Sequence, residues 1–97
     1  MTITIKRIDN DTFSVSISSK MNTQHTVKFS DKRRDLYGLR HIQKHVIIKF
    51  AFDFLLDREP NTSILTKFSI DLINNYFPEF ETELKENFNK SKGETKF

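Results

Sequence analysis

Residues Val46 to Leu56 read Val-Ile-Ile-Lys-Phe-Ala-Phe-Asp-Phe-Leu-Leu. Only Lys49 and Asp53 interrupt this run, and their four-residue spacing puts both on one narrow stripe of a helix. A helix that is apolar over the rest of its circumference has to be enclosed by other elements or by a partner. The segment therefore organises whatever fold the chain adopts. It is far short of the roughly 20 apolar residues that span a bilayer, so no membrane partner is expected.

The apolar period on either side shows what encloses it. Ile3 and Ile5 alternate with Thr2, Thr4 and Lys6, which predicts a strand. Asp9-Asn10-Asp11 is a turn, because these side chains bond nearby backbone and tolerate left-handed geometry. Phe13, Val15 and Ile17 alternate strictly with Thr12, Ser14, Ser16 and Ser18, the clearest strand in the chain. Val27 and Phe29 mark a third strand over 26–29. Each strand has one apolar and one polar face, which predicts an antiparallel three-stranded meander wet on one side.

After residue 30 the period changes to that of a helix. Ser30 or Asp31 can cap a short helix that ends near Gly38. The main helix is expected from about Arg40 to about Arg58, stopped by Glu59-Pro60. Asn61-Thr62-Ser63 is read as a loop that hands over to Ile64, Leu65 and Phe68. Ser69 then caps a short helix with Ile70, Ile73 and Tyr76 or Phe77 inward. Pro78 suits the first turn of a last helix, with Glu79 and Glu81 near the positive end of its dipole and Phe80, Leu84 and Phe88 as its buried stripe.

The expected fold is α+β: an N-terminal antiparallel three-stranded meander, then a long, mostly buried helix and two shorter C-terminal helices on one face. One domain is expected over 1–89, with a frayed tail over 90–97. The expected core is Ile3, Ile5, Phe13, Val15, Ile17, Val27, Phe29, Phe50, Phe54, Leu55, Ile73, Phe77 and Phe80.

Within this frame, Phe52-Asp53-Phe54-Leu55-Leu56-Asp57-Arg58-Glu59-Pro60-Asn61-Thr62-Ser63-Ile64-Leu65, followed by Ile73-Asn74-Asn75-Tyr76-Phe77-Pro78-Glu79-Phe80-Glu81, resembles a family of small uncharacterised prokaryotic proteins. That family has the pattern F-x-F-L-L-x-R-E-P-x-x-S-I-L, then I-x-x-Y-F-P-E-Y/F-E, after short N-terminal strands. The resemblance covers residues 50–83. Residues 32–45 depart from it, with the single Gly38 where the family has a glycine pair. It supports the architecture and implies no activity.

Few residues offer chemistry. The chain has no cysteine, so it has neither disulfides nor thiolate metal sites. Its start lacks an apolar run behind basic residues, so no signal peptide is expected, and a reducing, cytoplasmic setting follows. With only Gly38 and Gly93, a glycine-rich phosphate cradle is not built. His41 and His45 share a face if both lie on a helix, a spacing that can ligate metal. No third ligand accompanies them, and they are read as exposed polar residues. Glu79, Glu81, Glu83 and Glu86 are read as the solvated face of the last helix. No catalytic, metal or cofactor site and no small-molecule substrate is expected, and the protein is not expected to be an enzyme.

The remaining feature is charge. The net charge of +3 splits into +6 over residues 1–50 and −3 over 51–97. Lys32, Arg33, Arg34, Arg40 and Lys44 form a basic run, with Tyr37 among them as a residue on which a base could stack. They are the candidate polyanion-binding residues. The expected function is a small interaction protein, with a protein partner or self-association favoured and nucleic acid the alternative. Self-association follows if the chain leaves part of the helix at 46–56 uncovered.

Overall fold

The computed structural model describes residues 1–94, with side chains through Phe88. Three strands come first: β1 (Thr2–Arg7), β2 (Thr12–Ser18) and β3 (Thr23–Lys28). They form the expected antiparallel meander. Ile3 stands opposite Ile17, Ile5 opposite Val15 and Phe13 opposite Val27, so the apolar set meets across strands on one face. In the first turn Asp9 Oδ1 accepts the backbone N–H of Asp11 at 2.9 Å. In the second, Asn22 Oδ1 accepts the backbone N–H of Ser19 at 3.2 Å.

Ser30 opens α1 (Asp31–Leu36), its hydroxyl accepting the N–H of Arg33 at 3.1 Å. Gly38, at φ +75°, ends it in the left-handed region that a residue with a Cβ enters only under strain. The main helix, α2 (Lys44–Leu56), begins later than expected. Residues 40–42 form a turn closed by Ile42 N–H to the Leu39 carbonyl at 3.0 Å, and Gln43 is the N-cap.

The expectation of a wholly antiparallel sheet is corrected by a fourth strand, β4 (Lys67–Ser69), which pairs parallel to β3. The sheet order is β1-β2-β3-β4. A parallel pair needs a long crossover, and the chain between β3 and β4, with α2 within it, supplies one. Three residues are too few to reveal a period, which is why the sequence marks no strand at 67–69. A 3-10 turn over Asn61–Ser63 precedes β4, and a second over Ile70–Leu72 follows it. Then come α3 (Ile73–Tyr76) and α4 (Phe80–Glu94). Pro78 lies in the turn before α4 rather than inside its first turn. The tail expected over 90–97 overlaps the assigned end of α4, and residues 95–97 lie outside the described residues.

α2 is the middle layer between the sheet and α4. On one side Phe52 meets His25 of β3 at 5.6 Å between ring centroids and Phe68 of β4 at 6.0 Å. On the other side Phe54 packs edge-to-face on Phe80 at 5.1 Å, and Phe50 on Phe88 at 5.7 Å. Ile47, Ile48, Ala51, Phe52, Phe54 and Leu55 are all buried. Only Val46 among its large apolar side chains is exposed, at 39%. The helix is therefore satisfied within one chain.

The core also includes Tyr37, Leu39, Ile64, Phe68, Ile70 and Leu84, whereas Ile3, Ile5, Phe50 and Phe77 pack against it only partly buried. Arg58 staples the two helical layers. Its guanidinium lies 3.5 Å from the centroid of the Phe54 ring, donates to the Phe54 carbonyl at 3.0 Å, and reaches Glu79 and Glu83 at 3.3 Å each.

Candidate functional site

Four of the five residues of the basic run stand against carboxylates. Lys44 is only 7% exposed. Its ammonium donates to the Asn10 carbonyl at 2.6 Å and stands 2.8 Å from Asp31 and 3.5 Å from Asp11. This joins the start of α2 to the β1–β2 turn and α1. The Lys44 hydrogen bond, with a second from Asn10, holds the Asp31 carboxyl below its ordinary value.

Arg34 bridges to Asp31 at 3.6 Å and donates to the Ile42 carbonyl at 3.2 Å. Arg33 pairs with Asp71 at 3.6 Å, and Arg40 with Asp35 at 3.3 Å. Lys32 is exposed and has no ion pair among the described residues. Arg34 and Lys44 do share one polar hollow of about 590 Å³, together with Arg7 and His45.

Tyr37, the residue considered for stacking, is 2% exposed and packs on Phe29. Its hydroxyl is buried with no hydrogen-bond partner, and burial raises its pKa. His41 lies in the turn before α2 and His45 in its first turn, so the two do not sit on one helix. Among the described residues no three His, Asp or Glu side chains come together as a metal-binding group. Glu79 and Glu83 serve Arg58, Glu81 pairs with Lys85 at 2.8 Å, and Glu86 is exposed.

A different region is open and apolar. A cleft of about 340 Å³ lies where the end of α2, the segment before β4, and α3 meet. Leu55, Phe68 and Ile73 form its floor and are buried. Ile64 and Leu65 make one wall, and Leu72, Tyr76 and Phe77 the other. At the rim, Leu65 is 46% and Tyr76 64% exposed. Glu59 also lines the cleft, half-buried, and forms no ion pair among the described residues.

Sequence reasoning missed this cleft. It assigned Tyr76 or Phe77 inward as alternatives, and the structure turns Phe77 partly inward, edge-to-face with Phe54 at 5.8 Å, while Tyr76 faces out. The available signal was the surplus of apolar residues at Ile64, Leu65, Leu72, Tyr76 and Phe77 around very short elements. Such elements are too short to bury them all.

The chain matches no protein-family model, no curated protein and no solved structure.

Proposed function

We propose that this protein is a small, non-enzymatic interaction module. Its cleft takes an apolar side chain from a partner protein, flanked by a basic residue that pairs with Glu59. The observation that carries the reading is the cleft itself. It combines an apolar floor with exposed Leu65 and Tyr76 at its rim, and sites that seat an anchor side chain have this form. Charge supports a basic neighbour, because Glu59 has no internal cation among the described residues and the chain's second half is net negative. Tyr76 suits the rim, since an aromatic ring with a polar tip covers a partner while staying hydrated at one end.

The cytoplasm is the proposed setting, supported by the lack of cysteine. Among the described residues no helix is long and apolar enough to cross a membrane. Self-association has less support than a separate partner, because α2 is covered within the chain. Nucleic acid also has less, because four of the five candidate cations already face carboxylates.

Selection from a displayed peptide library tests the reading. Recovered peptides should share an aromatic or aliphatic anchor beside Lys or Arg, and should lose affinity for the Tyr76→Ser variant. Recovery of acidic peptides, or of peptides indifferent to Tyr76→Ser, contradicts it. Light scattering on the purified chain should give the monomer mass, and a stable dimer would transfer the cleft to a second copy.

A further inference from the structure

We infer that His25 is the positioning residue of this cleft: a buried polar relay that ends on the Leu65 carbonyl sets where the outer wall stands. The inference rests on the cleft being the binding site.

His25 occupies an inward position of β3 and is 1% exposed. Its Nδ1 lies 2.8 Å from the Leu65 carbonyl, and its Nε2 lies 2.9 Å from the Thr23 hydroxyl. A carbonyl can only accept, so Nδ1 carries the hydrogen and donates it to Leu65. With the hydrogen on Nδ1, Nε2 is placed to accept the Thr23 O–H. Asn61 Nδ2 in turn donates to Thr23 Oγ1 and to the Met21 carbonyl, both at 2.8 Å. One direction of donation, Asn61 to Thr23 to His25 to Leu65, runs through the relay with the His25 hydrogen on Nδ1.

The relay bears on the cleft through what it holds. Leu65 is the exposed rim of the wall, and Ile64 beside it lines the interior. Ile64 and Phe68 anchor the segment in the core at either end, while Thr62, Ser63, Thr66 and Lys67 are exposed, so Leu65 itself is held through its backbone. The segment's other attachments to β3 are the Thr26 N–H to Thr66 carbonyl bond at 2.7 Å and the three-residue β4 ladder. Between those two anchors, the backbone at Leu65 and Thr66 stands where its polar bonds to β3 place it. The relay therefore fixes the width of the cleft, from a residue that does not line it.

The test uses the full chain labelled with ¹⁵N and the probe N-acetyl-Phe-Lys-amide. In the wild type, the ring nitrogens of His25 should show a protonated Nδ1 and an unprotonated Nε2. His25→Leu should weaken the probe about fivefold, the loss expected for one hydrogen bond. It should also speed exchange of the Thr26 amide relative to amides in the middle of α2. His25→Asn keeps a donor near the position of Nδ1 and should recover most of the affinity, which a role in general packing would not explain. Thr23→Val keeps the shape of the site and removes the relay's hydroxyl. It should leave the hydrogen on Nδ1, which the Leu65 carbonyl still requires, and speed Thr26 exchange even where His25→Leu fails to fold.

A protonated Nε2 in the wild type overturns the inference. So does an unchanged probe affinity in folded His25→Leu, or unchanged Thr26 exchange in Thr23→Val. If Thr26 exchange responds as stated but the wild type ignores the probe, the binding role of the cleft falls while the relay's hold on the wall stands.

Discussion

Phe54→Ala should be among the most damaging single substitutions in this chain. The ring is 4% exposed, lies edge-to-face against Phe77 at 5.8 Å and Phe80 at 5.1 Å, and is capped by the Arg58 guanidinium at 3.5 Å. Truncating a buried phenylalanine costs about 3–5 kcal/mol. Aromatic pairs are worth about 0.5–1.5 kcal/mol beyond their area, so a ring with two of them belongs in the upper part of that range, at about 4–5 kcal/mol. A domain of this size has about 5–15 kcal/mol in all. At roughly 4–8 °C per kcal/mol, the melting temperature should fall by about 15–40 °C, or the folded state should be lost. Phe54→Leu keeps most of the volume and should cost much less, about 1.5 kcal/mol or under. Calorimetry or thermal circular dichroism on the three proteins reads the result. A fall under about 5 °C for Phe54→Ala would refute the placement of α2 as the middle layer.

Tyr37→Phe should leave the melting temperature unchanged or raise it, because it deletes a buried hydroxyl that has no partner; a clear drop would mean that the hydroxyl is satisfied. Lys49→Ala should cost only a few tenths of a kcal/mol, since Lys49 and Asp53 form an exposed pair at 2.7 Å, and chemical denaturation checks this. Asp31 is held below its ordinary value first by the Lys44 hydrogen bond, so its contribution to stability is complete above the unfolded-state value of about 3.9 and is lost as pH falls through the lower folded value. Melting temperature should therefore be flat above about pH 5 and drop below about pH 4, and Lys44→Met should make that drop shallower. Asp9, lowered by its bond from the Asp11 backbone N–H, acts in the same direction and should persist in that variant.

The elements with a clear period were legible. β2 alternates without a break, and its inward set Phe13, Val15 and Ile17 is buried in the structure. The apolar circumference of α2 predicted enclosure, and Phe52 toward the sheet with Phe54 toward α4 shows how both sides are met. β4 was not legible, because its three residues gain their geometry from pairing with β3 rather than from their own pattern. The start of α2 was placed too early because Arg40 to Gln43 favour a helix no less than Lys44 to Val46 do. The turn at Leu39–Ile42 is set by tertiary packing of buried Leu39.

The candidate site was less legible still. Charge spacing brought Lys44 into a phosphate-binding set, but sequence separation hid that Asn10, Asp11 and Asp31 converge on its ammonium. His25 carried no visible role, because Leu65, whose carbonyl it bonds, and Asn61, which bonds its other partner Thr23, are distant in the chain. The cleft arises only once α2, the wall at Ile64–Leu65 and α3 are brought together.

The most direct test of the account is a ¹⁵N–¹H correlation titration of the wild-type chain with N-acetyl-Phe-Lys-amide and with its Phe-Glu counterpart. Shifts should be confined to Leu55, Glu59, Ile64 to Phe68 and Leu72 to Phe77, the Phe-Lys peptide should bind more tightly, and both responses should be lost in Tyr76→Ser. Shifts centred on α1 and the start of α2, equal binding of the two peptides, or no response at millimolar peptide would contradict it.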